Sequence, residues 1–294
     1  MTEIPTFDFV TVEGLKIHYR ILGEGPPVIA LHGAAGNLLD WEIGPARELA
    51  KRHRVLLLDR PGFGFSERPA NGHELSVQAR ILASAAQKVG FPRAILIGQS
   101  FGGAVALAWA LERPDSVAGL CLIAAPSHLW PGGVGPLYTT LSAPVIGPVL
   151  AHVLPRMAPE SRIEGRIARI FHPAAPPEGY LERIGVSLSL RPKQLRAAAM
   201  DLTRLKPQIR AMVPHYPSLK MPVEILHGKA DRVVLLRLHS RPLARAVPDA
   251  RFTRLPGQGH MLHHTATPTF LDAVGRLAAR TAEANNAARA GGHA

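Results

Sequence analysis

The run Ile95-Leu96-Ile97-Gly98-Gln99-Ser100-Phe101-Gly102-Gly103 decides the fold of this chain. Its first residues are apolar and β-branched, as a buried strand requires, and a Gly-x-Ser-x-Gly turn follows. Gly103-Ala104-Val105-Ala106-Leu107-Ala108-Trp109 then reads as an apolar helix. A serine on so sharp a strand-to-helix turn sits in a backbone conformation that crowds side chains. Gly98 and Gly102 relieve the crowding, and the Ser100 hydroxyl is pushed out above the sheet edge. The helix N-terminus beneath it favours developing negative charge. In a chain with 27 Gly, the bare five-residue pattern also fits an ordinary Gly-rich turn. The flanking strand and helix argue against that.

Outward from this turn, short apolar runs alternate with helical patterns. Residues 7–12 and Leu15–Leu22 alternate apolar and polar around Glu13-Gly14, predicting a hairpin. Further strands are predicted at 28–31, Arg54–Leu58, Val117–Ile123, 223–227 and 251–255, and helices at 45–51, 76–89 and 101–111. This rhythm predicts an α/β protein with a mostly parallel, eight-stranded sheet and flanking helices. It breaks between Pro126 and Leu219, where no buried strand is found and helical stripes dominate. One stripe is Ile163, Ile167, Ile170 and Phe171; another is Leu195, Ala199, Leu202 and Leu205. The expected organisation is a core in two parts, 1–125 and 220–281, with a helical cap or lid at 126–219 and a frayed tail at 282–294. Residues 129–154 carry no Lys, Arg, Asp or Glu, but their prolines and glycines break any continuous span. They are expected to form an apolar pocket wall or lid, with Leu137 and Val145 touching substrate. Shallow membrane contact is the minor alternative.

At 294 residues with 47% apolar and 19% charged, the chain can bury a sizeable core. A lone cysteine, Cys121, excludes an intrachain disulfide and is expected to be buried and inert. The N-terminus shows no signal-peptide pattern, so a cytoplasmic location is expected. The net charge of +12 comes from scattered basic residues without runs or aromatic interleaving, so no nucleic-acid partner is expected.

A serine hydroxyl attacks poorly until a base takes its proton, and that base needs a third group to fix its tautomer. Downstream, Val223-Glu224-Ile225-Leu226-His227-Gly228-Lys229-Ala230-Asp231 places an acid four residues past a strand end. The strand at 251–255 runs into Pro256-Gly257-Gln258-Gly259-His260, which supplies a base. Ser100, Asp231 and His260 are therefore the candidate catalytic residues. His263 and His264 complete a His-x-x-His-His spacing, but no acid or third ligand lies nearby in the sequence, so no metal is expected. Asp59 is expected to hold the turn it begins, and Asp249 and Asp272 to face solvent.

Five segments together resemble the α/β-hydrolase-fold serine hydrolases of the esterase/lipase-like superfamily. They are His32-Gly33, Asp59-Arg60-Pro61-Gly62-Phe63-Gly64-Phe65-Ser66, Gly98–Gly103, Gly228–Asp231 and Gly257–His260. The likeness covers about 17–122 and 221–279, and the order Ser, Asp, His fits it. It implies an oxyanion hole from the backbone N–H groups of Phe101 and of Ala34, which follows His32-Gly33. His32 itself is expected to shape this loop. The implied reaction is hydrolysis of a carboxylic ester or related acyl compound through an acyl-enzyme, with a small, lipophilic acyl substrate and no cofactor. Carbon–carbon bond hydrolysis and acyl transfer, including peracid formation, use the same triad, and a ligand receptor with little turnover is a third reading. In carbon–carbon hydrolases Trp often follows the catalytic His, whereas Met261 stands here. Dehalogenases and epoxide hydrolases carry Asp at the nucleophile position, so Ser100 argues against both.

Overall fold

The computed structural model describes residues 8–157 and 159–291. Strands β1 (Asp8–Val12) and β2 (Leu15–Leu22) fold back through Glu13 and Gly14, which take φ of 52° and 78°. Phe7, expected to start this hairpin, lies outside the described residues. Six more strands follow: β3 (Pro27–Leu31), β4 (Arg54–Leu58), β5 (Ala94–Gln99), β6 (Val117–Ile123), β7 (Val223–Gly228) and β8 (Ala250–Leu255). They form one sheet in the order β1-β2-β4-β3-β5-β6-β7-β8. β2 runs antiparallel to both its neighbours, and every other pair is parallel. The mostly parallel eight-stranded sheet read from the sequence is the one the chain forms.

Parallel neighbours need crossovers, and helices supply them. Helices α1 (Leu39–Glu42) and α2 (Pro45–Leu49) link β3 to β4, α3 (Leu75–Lys88) links β4 to β5, and α4 (Phe101–Glu112) links β5 to β6. Between β6 and β7 lie α5 (Pro136–Ser142), α6 (Ile146–Met157), α7 (Glu160–Phe171), α8 (Tyr180–Arg183), α9 (Val186–Ser189) and α10 (Pro192–Met212). α11 (Ser240–Ala246) joins β7 to β8, and α12 (Leu262–Thr265) and α13 (Thr267–Gly291) close the described chain. Strand side chains alternate between two cores. Ile29, Leu31, Leu56, Leu58 and Leu96 pack with Ile81, Val105 and Leu243 on one face. Val28, Ala30, Val55, Leu57, Ile95 and Ile97 pack with Trp41, Leu49, Phe270 and Leu277 on the other. Burial on both faces is why the central strands read as unbroken apolar runs. Cys121 is among the buried residues, and burial pushes its thiol well above the usual range.

Two expectations change. The segment from 282, expected to fray, continues α13 as far as Gly291, since its alanines are the strongest helix formers; 292–294 lie outside the described residues. Val145 is 81% exposed, just ahead of an α6 face on which Ile146, Val149, Val153 and Met157 also meet solvent. It therefore does not pack into the apolar wall expected of it. Leu137 does pack inward, with Leu141, Ala151 and Ala199.

His32 and His263 are fully buried. Burial first, helped by Arg60 in one case and His264 in the other, pulls each imidazole down to about 4. Unfolded, both titrate near the ordinary value of about 6.5. Between those two values the unfolded chain binds more protons, so stability falls as pH drops from about 6.5 to 4, by up to about 3 kcal/mol for each group. Urea midpoints measured from pH 8 to 4 are expected to hold level above 7 and fall steeply below 6.5. A flat profile through that window would contradict the burial.

Candidate active site

β5 delivers Ser100 on a backbone turned to φ 51°, ψ −122°. For a residue with a side chain this conformation costs about 1–3 kcal/mol. It is held in place: Ser100 N–H donates to Ile123 O at 2.8 Å. A Cβ on Gly98 would stand 2.5 Å from Gly102 O and 2.6 Å from Gly103 Cα, and one on Gly102 would strike the Leu31 and His32 carbonyls. Both glycines are thus required by close approach. Ser100 heads α4, whose first N–H groups have no partner within the helix.

Beside it, β3 runs out into His32-Gly33-Ala34. A Cβ on Gly33 would lie 3.3 Å from Ser100 Cβ, so this loop rests against the serine. His32 Nε2 accepts from Arg60 N at 3.0 Å and its Nδ1 faces Gly33 O at 2.9 Å. With its pKa near 4 the ring is neutral at pH 7 and carries its proton on Nδ1, so it braces the loop.

Asp231, just beyond β7, is buried and fully engaged. Its Oδ1 accepts from Val233 N at 2.7 Å and Val234 N at 3.0 Å. Its Oδ2 lies 2.8 Å from His260 Nδ1 and 3.1 Å from His227 Nε2. Burial opposes ionisation, but His260 and the hydrogen bonds from both imidazoles hold the carboxyl well below the usual carboxylate range. His227 is the residue sequence reasoning missed here. Its Nδ1 sits 2.7 Å from Ser240 Oγ and its Nε2 2.7 Å from Val234 O, which locks the ring behind Asp231. The only available signal was its place four residues before the acid. Ser100, Asp231 and His260 follow the C-terminal ends of β5, β7 and β8, the edge where open α/β sheets bind ligands. The serine and histidine loops meet where Gln99 Nε2 lies 3.7 Å from Met261 Sδ.

The α5–α10 insertion touches this same edge. Met261 packs with Phe171, Tyr180 and Ile184, while Ala197 and Ala198 pack on Phe63 and Ala35. Gln194 Nε2 donates to Gly64 O at 2.8 Å.

Asp59 accepts from Phe65 N in its own turn at 3.0 Å, and also from Leu38 N at 2.7 Å. Asp249 is exposed and pairs with Arg280 at 2.6 Å. The absence of an acid near His263 and His264 is corrected by the fold: Asp40 arrives from α1, 223 residues before His263. Its Oδ2 lies 3.1 Å from His263 Nε2, and its Oδ1 lies 2.9 Å from His264 Nε2 and 2.6 Å from Tyr180 Oη. Asp40, His263 and His264 bring their polar atoms within 4.8 Å of one another. Here both Nε2 atoms act as hydrogen-bond donors to the carboxylate, which ties α12 and α8 to α1. Among the described residues no helix is long and apolar enough to cross a membrane.

A family model described as the α/β-hydrolase fold matches residues 26–137. Over 270 residues the chain is 28% identical to haloalkane dehalogenase 2 of Mycobacterium tuberculosis, covering 88% of this chain and 90% of that one. It is also 28% identical over 273 residues to a 2-hydroxy-6-oxononadienedioate/2-hydroxy-6-oxononatrienedioate hydrolase of Comamonas testosteroni, covering 88% and 92%. The solved structure of an esterase from Rhodococcus sp. ECU1013 superposes with a TM-score of 0.72 at 25% identity, covering 93% of this chain and 99% of that one. The chain is an α/β-hydrolase-fold protein.

Proposed function

We propose that the protein is a serine hydrolase of carboxylic esters, with Ser100 as nucleophile, His260 as base and Asp231 as the acid that orients it. The observation that carries this is the 2.8 Å contact from Asp231 Oδ2 to His260 Nδ1, with Ser100 raised on a positive-φ turn one loop away. A proton fixed on Nδ1 leaves Nε2 bare, the form a general base needs. Ser100 attacks the acyl carbon as His260 takes its proton, and the oxyanion is received by the N–H groups of Ala34 and Phe101. Such donors are worth about 3–4 kcal/mol each to the transition state. His260 then protonates the leaving alcohol, and water activated by the same ring releases the acid. No step needs a metal or cofactor.

Residues 126–219 act in this reading as a cap over Ser100, supported by their contacts with the Met261 and Ala35 loops. The apolar cluster of Leu137, Leu141, Leu150 and Leu154 favours a lipophilic substrate group. The dehalogenase relative does not carry its printed activity over, since alkyl transfer to the enzyme needs a carboxylate where this chain has Ser100. The Comamonas relative favours carbon–carbon bond hydrolysis as a second reading, because a serine nucleophile serves both.

A series of p-nitrophenyl esters of rising acyl length tests the proposal. Multiple turnover is expected, with kcat/KM rising over the first few methylenes by about tenfold per well-buried group. Addition of EDTA is expected to leave the rate unchanged. Release of one equivalent or less would sink the hydrolase reading in favour of a receptor. Slow ester turnover beside fast cleavage of a vinylogous 1,5-diketone acid would replace it with the carbon–carbon reading.

A further inference from the structure

We propose that Arg60 is the positioning residue of the oxyanion loop, and that Asp201 of the inserted helices holds it in place. The inference rests on the hydrolase reading above. Arg60 lies two residues past the end of β4 and is fully buried, so each of its donors must find an acceptor. Burial lowers its pKa to about 10, with Asp201 opposing the shift, and it stays charged at neutral pH. Its Nε donates to His32 O at 3.1 Å and its Nη2 to Gly33 O at 2.9 Å. Its backbone N–H donates to His32 Nε2 at 3.0 Å. One residue therefore grips both carbonyls ahead of Ala34 and the imidazole between them.

The consequence follows from peptide planarity. The Gly33 C=O and the Ala34 N–H belong to one rigid trans unit and point in opposite directions. Pinning the oxygen to the guanidinium aims the N–H away from it, on the loop that rests against Ser100. Among the described residues that N–H has no acceptor within the protein. The guanidinium carbon also lies 4.6 Å from the Phe101 ring and 4.4 Å from that of Phe63. Arg60 thus contacts residues of both halves of the hole, without touching substrate.

Asp201 explains why the fork stays in this pose. It is fully buried on α10, with Oδ2 3.1 Å from Arg60 Nη1 and Oδ1 2.5 Å from Arg68 Nη2. Gln78 completes the set, with Oε1 2.8 Å from Arg60 Nη1 and Nε2 3.2 Å from Asp201 Oδ2. A planar fork can serve two carbonyls, a carboxamide and a carboxylate at once, whereas a lysine ammonium cannot. The insertion and the oxyanion loop are therefore joined through one buried ion pair.

The test compares wild type with Arg60→Lys, Arg60→Met and Asp201→Asn, each first checked for fold by circular dichroism and melting temperature. Two readouts separate positioning from simple support. The first is affinity for an aryl trifluoromethyl ketone, which captures the serine as a tetrahedral oxyanion, set against KM for the matching ester. The second is the backbone amide resonance of Ala34. Arg60→Lys is expected to weaken the ketone and lower kcat by about 10²-fold, as loss of one oxyanion donor does, with KM within about twofold. Asp201→Asn should give about tenfold in the same direction, and all variants should shift the Ala34 resonance. Folded variants with unchanged ketone affinity and an unmoved Ala34 resonance would overturn the proposal, as would a rise in KM with kcat kept. If Arg60→Met fails to fold, the lysine and asparagine variants still decide. Should wild type neither bind the ketone nor turn over esters, the hydrolase reading fails by itself, and the Ala34 resonance still decides whether Arg60 sets the loop.

Discussion

Ser100→Ala is expected to remove all ester turnover and all labelling by a fluorophosphonate probe while leaving the fold intact. In the proposed mechanism the loss follows from taking away the only atom that forms the acyl bond, and in comparable serine hydrolases it amounts to about 10⁶ in kcat. The fold should survive because alanine keeps the Cβ that the turn already accommodates at φ 51°. What ties the residue down is its backbone N–H on Ile123 O at 2.8 Å, which the substitution leaves alone. Intact-mass spectrometry after probe treatment, beside a thermal melt, reads both halves. Labelling that persists in the alanine variant would place the nucleophile elsewhere.

Asp231→Asn is expected to lower kcat by about 10⁴-fold, by analogy with the corresponding change in a serine protease, with little effect on KM. The reasoning here is specific to the contacts. Oδ1 accepts two backbone N–H groups, from Val233 and Val234, so an asparagine must keep its oxygen there. Its NH₂ then falls where Oδ2 stood, facing His260 Nδ1 and His227 Nε2. Donor would meet donor. His260 escapes by moving its proton to Nε2, and the base is lost. Steady-state kinetics with a short-chain p-nitrophenyl ester checks this. A kcat within tenfold of wild type would show that Asp231 does not set the tautomer.

Nearly everything that local chain geometry controls was legible in the sequence. The strand, turn and helix around Ser100 announce themselves because crowding at that turn forbids side chains at Gly98 and Gly102. The central strands show because burial on both faces leaves apolar runs, and the N-terminal hairpin shows by its alternation. What stayed hidden depends on partners brought from far along the chain. Nothing near His263 hints at Asp40, since the pair forms only when α1 and α12 pack together. Asp201 left a fainter trace: with Ala197 and Leu205 it shares a buried face at intervals of four, where an acid needs a cation. The cation could not be chosen from among 34 basic residues until the fold placed Arg60 beneath the helix. Val145 was misread for the opposite reason, because an apolar residue in an apolar segment gives no sign of which way it faces.

The order of the strands along the chain also sets when the proposed triad can assemble. Ser100 is seated once β6 has formed, but its proposed acid and base follow β7 and β8 respectively, which the ribosome delivers only after the whole insertion. In that reading, a chain stalled or clipped within α5–α10 would hold an unarmed serine, and the remaining piece an acid and base with nothing to activate. The same division makes the insertion a natural place to split the gene, with the proposed activity expected only when the two halves are reunited.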